Sequence, residues 1–159
     1  MNYQDWLTTV PAEITQDPLW KLDIYRLGLF AAEIGWEDVV LLDKNSLTRD
    51  AADQIIRSLN SISANIAEGY SRSTGKDRAR YFEYSLGEAR EARDRYFKAR
   101  RVLKQEVVLH RIKLLTQIVK MLNAFVPVQR KRGIREEKGI YITSSVFENE
   151  ILHLPIPMP

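Results

Sequence analysis

Residues 51–70 read AADQIIRSLNSISANIAEGY, and they carry the clearest helical pattern in the chain. Apolar side chains recur along this segment at intervals of three or four residues, at Ala52, Ile55, Leu59, Ile62 and Ile66. That spacing is typical of an α-helix with one buried face. We expect the helix to end near Gly69, because glycine readily adopts the left-handed conformation that follows many helices.

Three other segments show the same periodicity. The apolar positions are Trp20, Ile24, Leu27, Ala31 and Ile34 in the first predicted helix, Phe82, Leu86, Ala89, Ala92, Tyr96, Ala99 and Leu103 in the third, and Val108, Ile112, Leu115, Val119, Leu122 and Val126 in the fourth. We expect a turn near Lys104, because one helix from residue 76 to 126 would extend about 75 Å. The fourth helix should stop at Pro127. Its second apolar row predicts either central burial or a subunit interface.

Four amphipathic helices with short links predict an all-α protein, an up-down-up-down four-helix bundle with an irregular C-terminal tail. This arrangement buries all four apolar faces against one another. We expect an N-terminal lead-in at residues 1–17, the four-helix bundle at residues 18–130 and the C-terminal tail at residues 131–159. Residues 140–143 could add a short edge strand to the tail.

Composition excludes several kinds of active site. The 159 residues include no cysteine and two histidines, so thiol nucleophiles, disulfides and cysteine-bearing metal sites are ruled out. The sequence contains neither a glycine-rich phosphate loop nor a Glu-x-x-His pair. We therefore expect no catalytic residue, no metal site, no cofactor and no enzymatic activity. No apolar run approaches the roughly 18 residues of a membrane span, which predicts a cytoplasmic protein without a membrane partner.

Charge is distributed unevenly along the chain. Residues 1–71 contain 5 Lys+Arg and 11 Asp+Glu, residues 72–135 contain 18 and 6, and residues 136–159 contain 1 and 4. The net charge of +3 therefore conceals a central segment of +12 between segments of −6 and −3. Such asymmetry predicts an anionic partner, an acidic protein surface or association between unlike patches of two copies.

The cations concentrate on the third and fourth predicted helices. At 100° per residue, five cations of the third helix lie opposite its apolar face: Lys76, Arg80, Arg90, Lys98 and Arg101. The candidate nucleic-acid-binding set also includes Arg72, Arg111, Lys113, Arg130, Lys131 and Arg132. This surface could be a solvated helix face, a nucleic-acid interface or a contact for an acidic protein. Arg93 and Arg100 project toward the apolar sector, so we expect them to reach an edge or a partner.

One combination of motifs resembles a known family. The motifs are Ile62-Ser63-Ala64-Asn65-Ile66-Ala67-Glu68-Gly69, Ser71-Arg72-Ser73 and Tyr81-Phe82-Glu83-Tyr84-Ser85-Leu86-Gly87. Over roughly residues 19 to 127 the chain resembles the four-helix bundle proteins encoded in 23S rRNA intervening sequences. Relatives of that family include the accessory variability determinant of diversity-generating retroelements.

Five residues in and near these motifs have a structural interpretation. We interpret Asn65, Glu68, Gly69, Arg72 and Gly87 as a fold-determining motif rather than a ligand site. The Asn65 amide could bond the backbone of the following turn, and Glu68 could pair with Arg72. Gly87 lies on the outer face of the third helix, where the lack of a side chain would permit close approach of another chain.

The resemblance implies a ring-like homopentamer that binds nucleic acid and a reverse transcriptase through basic surfaces. We therefore expect a non-enzymatic oligomeric adapter that binds structured RNA, or DNA, or a complex of nucleic acid and reverse transcriptase, through helices three and four. The alternative is a protein-interaction scaffold whose arginines contact acidic surfaces without nucleic acid. A small-ligand enzyme assembled across subunits is a third class.

Overall fold

The computed structural model describes residues 2–132 and 152–159. Within these ranges the chain forms helices and no strand, which confirms the all-α class. The elements are α1 (Tyr3–Leu7), α2 (Ala12–Thr15), a 3-10 helix (Pro18–Lys21), α3 (Asp23–Asp43), α4 (Arg49–Tyr70), α5 (Gly75–Ala99) and α6 (Gln105–Arg130). The long helices α3 to α6 correspond to the predicted helices one to four. The predicted edge strand at residues 140–143 lies outside the described residues.

Local sequence sets the beginning of two helical elements. The Thr74 hydroxyl accepts a hydrogen bond from the Asp77 backbone N–H at 3.1 Å and caps α5. The Asp17 carboxylate accepts one from the Leu19 N–H at 2.8 Å, immediately before the 3-10 helix. Both caps satisfy a backbone donor that has no partner within its own helix.

The expected turn between the third and fourth helices is confirmed, but the expected end of the fourth helix is wrong. α5 ends at Ala99 and α6 begins at Gln105. α6 then continues through Pro127 to Arg130. Proline removes the hydrogen bond that its own N–H would donate, but its carbonyl remains an acceptor. The Lys131 N–H donates to the Pro127 carbonyl at 3.3 Å, so the last turn still closes.

The four long helices enclose one apolar core. α3 packs against α4 and α6, and α5 also packs against α4 and α6. The largest fully buried side chains are Phe30, Leu42, Ile55, Leu59, Ile62, Ile66, Phe82, Tyr96, Leu114, Leu115, Ile118 and Leu122. The second apolar row of α6, including Val107, Leu114, Ile118, Met121 and Phe125, is buried within the same chain. Central burial therefore accounts for the unusually wide apolar surface of α6.

The N-terminal residues join this core. Tyr3 and Trp6 of α1 are buried, and their rings lie 5.0 and 5.2 Å from the ring of Phe30 on α3. Aromatic pairs at such distances stabilise by roughly 0.5–1.5 kcal/mol beyond the area that they bury. The segment expected to be a lead-in therefore contributes packed aromatic side chains to the bundle.

Gly69 has a different role from the one expected of it. It lies within α4, which ends at Tyr70, so the prediction of a left-handed residue after the helix is wrong. A Cβ at this position would lie 2.9 Å from the Tyr81 Cβ and 3.2 Å from a ring carbon of Phe82. Glycine is needed here because α4 and α5 approach each other closely.

The other residues of the structural motif are Asn65, Glu68, Arg72 and Gly87. Glu68 and Arg72 form the expected ion pair. Within residues 2–132 and 152–159 the Asn65 amide forms no hydrogen bond, so the expected bond to the following turn is absent. Gly87 is exposed, and no described atom lies within 4 Å of a Cβ built there. Its outward position agrees with the helical pattern.

Candidate nucleic-acid interface

The outer face of α5 carries four cations and the turn that follows it carries a fifth, and we call these five residues the basic ridge. Lys76, Arg80, Arg90, Lys98 and Arg101 are all exposed, as the helical spacing predicts. The Lys98 ammonium lies 2.5 Å from the Asp94 carboxylate, and Arg80 donates to the Tyr84 hydroxyl at 2.7 Å. In the described part of the chain the other three cations form no ion pair. The ridge therefore keeps unneutralised positive charge facing solvent.

Aromatic side chains accompany these cations, a feature that the sequence interpretation missed. Tyr84 is 45% exposed and Phe97 is 53% exposed. The guanidinium of Arg80 lies 5.7 Å from the ring centre of Tyr84, and that of Arg100 lies 4.1 Å from the ring centre of Phe97. The spacings of four and three residues between each arginine and its ring could have revealed these pairs, because such residues are neighbours on a helix.

A further arginine–aromatic contact connects α5 to the turn that follows α4. Arg72 donates to the Tyr81 hydroxyl at 2.8 Å and places its guanidinium 4.6 Å from the ring centre of that tyrosine. The Tyr81 ring meets the Tyr84 ring edge-on at 5.7 Å. Arg72 is also paired with Glu68 and is only half-buried. Arg72 therefore positions the Tyr81 ring, which packs on Tyr84, and also adds positive charge to the surface.

The cations at the C-terminal end of α6 lie near the same helix. Arg130 forms an ion pair with Glu83 of α5, which joins the end of α6 to the first half of α5. Lys131 is exposed and Arg132 is half-buried. Lys113 is exposed on α6. Arg93, expected to reach an edge, donates to the Thr116 hydroxyl of α6 at 3.3 Å.

Arg111 is the one candidate that the structure removes from this surface. Its side chain is 2% exposed and forms an ion pair with Asp38 of α3, which is completely buried. The Nε and Nη2 atoms donate to the two Asp38 carboxylate oxygens at 2.8 and 3.1 Å. The Tyr96 hydroxyl donates to the same carboxylate at 2.8 Å. The expectation that Arg111 contacts nucleic acid is wrong, because its charge is compensated inside the bundle.

Two side chains in and beside the buried cluster, Tyr96 and His110, have shifted pKa values. Burial, with the Asp38 carboxylate beside it, raises the pKa of Tyr96 well above its ordinary value of 10.0. Burial, together with the nearby positive charges of Arg111 and Lys113, lowers the pKa of His110 from 6.5 to about 4. The His110 Nδ1 lies 3.0 Å from the Arg111 Nη1 and can accept a hydrogen bond from it. His110 is therefore neutral at pH 7 and serves the cluster as an acceptor.

This pKa shift predicts a pH-dependent stability. The unfolded chain binds a proton on His110 near pH 6.5, whereas the folded chain resists protonation until about pH 4. Stability should therefore fall as the pH falls from 6.5 toward 4, because the unfolded state binds more protons in that window. We expect His110→Gln to flatten this part of the profile, measured as the urea midpoint at pH 7 and pH 5. His153→Gln, at an exposed position, is the control and should leave the profile unchanged.

Comparison with known proteins gives a family match and one structural neighbour. Residues 39–124, more than half of the chain, match the model of a family described as 23S rRNA-intervening sequence protein. A crystal structure of a protein of unknown function from the S23 ribosomal protein family of Bacteroides thetaiotaomicron is similar to this chain, with a TM-score of 0.61 and 23% sequence identity. The likeness covers 65% of this chain and 97% of that one, and it concerns the fold alone.

None of the curated proteins matches the chain significantly. Among the described residues, no helix combines the length and apolar character that crossing a membrane requires.

Proposed function

The chain belongs to the family of 23S rRNA-intervening sequence proteins, and from that premise we propose that it is a non-enzymatic adapter that binds structured RNA through α5 and α6. The observation that carries this proposal is the alternation of exposed cations and exposed aromatic rings on one face of α5. Cations can bind the phosphates of RNA, and exposed aromatic rings can stack on its bases.

The phosphate component of binding follows from the basic ridge. Lys76, Arg90 and Arg101 have no ion pair within the described ranges, so they can displace counterions from a polyanion. Arg80 and Lys98 can exchange their present partners for phosphate, because exposed contacts of this kind contribute little stability. Binding of this type is sensitive to salt and tolerant of base sequence.

The aromatic component favours RNA with unpaired bases. Tyr84 and Phe97 each expose about half of their surface, and each lies beside an arginine. Bases in loops and bulges can stack on such rings, whereas bases within a duplex are already stacked on one another. A hairpin offers both a phosphate backbone for the ridge and loop bases for the rings.

We further propose that the adapter is an up-down-up-down bundle that assembles with copies of itself. Two contacts support antiparallel neighbouring helices. The Ser85 hydroxyl of α5 donates to the Ile62 carbonyl of α4, and Arg130 at the end of α6 pairs with Glu83 in the first half of α5. The resemblance to the accessory proteins of diversity-generating retroelements makes a homopentamer the assembly to test, and a complex of nucleic acid and reverse transcriptase a candidate partner. The exposed backbone at Gly87 leaves room for another chain on α5.

The test is RNA binding by a charge-removal variant. We expect glutamine at Arg80, Arg90, Lys98 and Arg101 to weaken binding of a labelled RNA hairpin by roughly 100-fold at low salt, and to reduce the slope of log affinity against log salt by about 3. Fluorescence anisotropy at two or more salt concentrations measures both quantities.

A control variant separates this local effect from the change in net charge. Glutamine at Lys21, Lys44, Arg49 and Arg57 removes four exposed cations from the other half of the bundle. It should change affinity much less than the ridge variant. Equal losses in the two variants, or unchanged binding by the ridge variant, would contradict the proposal. An assembly that loses mass in light scattering when salt is raised, with no RNA bound at low salt, would instead favour the protein-interaction scaffold.

A further inference from the structure

The last eight residues, 152–159, lie against the bundle near the start of α6. Leu152 and Ile156 are partly buried against the core. The Pro157 carbonyl accepts a hydrogen bond from Arg111 Nη2 at 3.1 Å, and the Met158 carbonyl accepts one from Lys104 Nζ at 3.4 Å. Two cations therefore hold the backbone of this segment, while apolar contacts hold its side chains.

Arg111 is fixed in place before it meets this segment. Its Nε bonds the buried Asp38 carboxylate, and its Nη1 lies 3.0 Å from the His110 ring nitrogen. Its Nη2 also bonds Asp38 and lies 3.4 Å from the Ile34 carbonyl, in addition to the Pro157 carbonyl. A guanidinium held in this way has a fixed orientation, so little side-chain entropy is lost when a carbonyl binds there. The donor is part of a rigid receptor rather than a mobile surface side chain.

A cleft of about 680 Å³ adjoins the segment, bounded by α3 and α4. The helices contribute Leu29, Ala32, Trp36 and Ile56, and the C-terminal segment contributes Ile156 and Met158. Trp36 remains 59% exposed and Met158 remains 58% exposed. Glu33, Glu37 and Asn60 also line the cleft. The cleft therefore has an aromatic and apolar wall beside these polar side chains, and the segment covers it only in part.

The sequence of the segment suits recognition through carbonyls. Proline occurs at every second position, Pro155, Pro157 and Pro159. Each proline fixes its own φ and biases the preceding residue toward an extended conformation, so the segment loses little entropy on binding. Proline lacks an N–H, which leaves its carbonyl as the polar backbone group to be satisfied. Aromatic-lined grooves bind proline-rich segments for the same reasons.

We propose that this cleft is a binding site for an extended, proline-containing peptide, and that residues 152–159 are its built-in occupant. Arg111 and Lys104 recognise two backbone carbonyls, and the apolar wall around Trp36 receives the side chains between the prolines. A free peptide of the same chemistry competes with the tail for the site. This role concerns the α3 side of the bundle and does not depend on RNA binding by the basic ridge.

Competition between the tail and a synthetic peptide tests the proposal in the full chain. Ile156→Asp places a charge against the apolar wall and should release the tail. We expect this variant to bind a peptide of residues 152–159 in isothermal titration calorimetry, and the unaltered chain to bind it at least 10-fold more weakly, because a tethered tail competes at an effective concentration of about 1 mM. Trp36→Ser in the Ile156→Asp chain should weaken peptide binding.

Two further measurements keep the result interpretable. A control peptide has the same composition, but its three prolines are consecutive. It should not bind the Ile156→Asp chain. In the unaltered chain, excess native peptide should accelerate hydrogen exchange at the tail amides, a readout that needs no variant. Absence of peptide binding to Ile156→Asp, equal binding to both chains, equal binding of the rearranged peptide, or unchanged hydrogen exchange would overturn the proposal.

Discussion

Asp38→Ala is expected to destabilise the folded chain by about 3–5 kcal/mol, because it leaves the buried Arg111 guanidinium without its counterion. Asp38 is fully buried and accepts three hydrogen bonds, two from Arg111 and one from the Tyr96 hydroxyl. Without the Asp38 carboxylate these buried donors lose their hydrogen-bond acceptor, and an unsatisfied buried donor is costly. Urea denaturation at pH 7, followed by circular dichroism, measures the change.

The exposed pair of Asp43 and Arg49 offers a matched control. Both side chains are about 60% exposed, and their charged atoms lie 3.1 Å apart. Asp43→Ala should cost no more than about 1 kcal/mol, because water solvates the arginine that remains. The double variant Asp38→Ala with Arg111→Met should recover much of the lost stability, since it no longer buries an unpaired charge. Similar small losses of stability for Asp38→Ala and Asp43→Ala would show that an unpaired Arg111 is not costly to bury.

Gly69→Val is expected to destabilise the chain by about 1–3 kcal/mol, because the new side chain collides with α5. The first atom added would already lie 2.9 Å from the Tyr81 Cβ and 3.3 Å from the Arg78 carbonyl oxygen. Neither contact is the flexible end of a side chain, so relief requires α4 and α5 to separate. The thermal unfolding midpoint, measured at fixed protein concentration, reports the loss.

Gly87→Val supplies the comparison at a position without contacts. No described atom lies within 4 Å of a Cβ at Gly87, and the residue is exposed on α5. Since valine and glycine differ by only about 0.5 kcal/mol in helix propensity, the stability of the single folded chain should change little. A loss at Gly87 equal to that at Gly69 would mean that the close approach of α4 and α5 is not the reason for glycine at position 69.

The cations of the basic ridge could be predicted from sequence, and helical spacing could also have indicated their aromatic partners, whereas the neutralisation of particular cations could not be predicted. Lys76, Arg80, Arg90 and Lys98 share one face of α5 because 3.6 residues complete each turn, a property of the helix alone, and Arg101 lies in the turn that follows. Whether a given cation is neutralised depends on what lies beside it. Arg130 meets Glu83 from 47 positions earlier in the chain, and no local pattern indicates that contact.

The sequence by itself determined the all-α class, the apolar faces of the four long helices and the turn near Lys104, because each depends on residues within a few positions of one another. The tertiary structure alone decided that Arg111 is buried, since its counterion Asp38 is 73 residues away. It also decided that Tyr3 and Trp6 join the core and that Gly69 lies where α4 and α5 approach each other closely. Burial of a charge and the distance between helices depend on which surfaces meet, and helical periodicity carries no information about that choice.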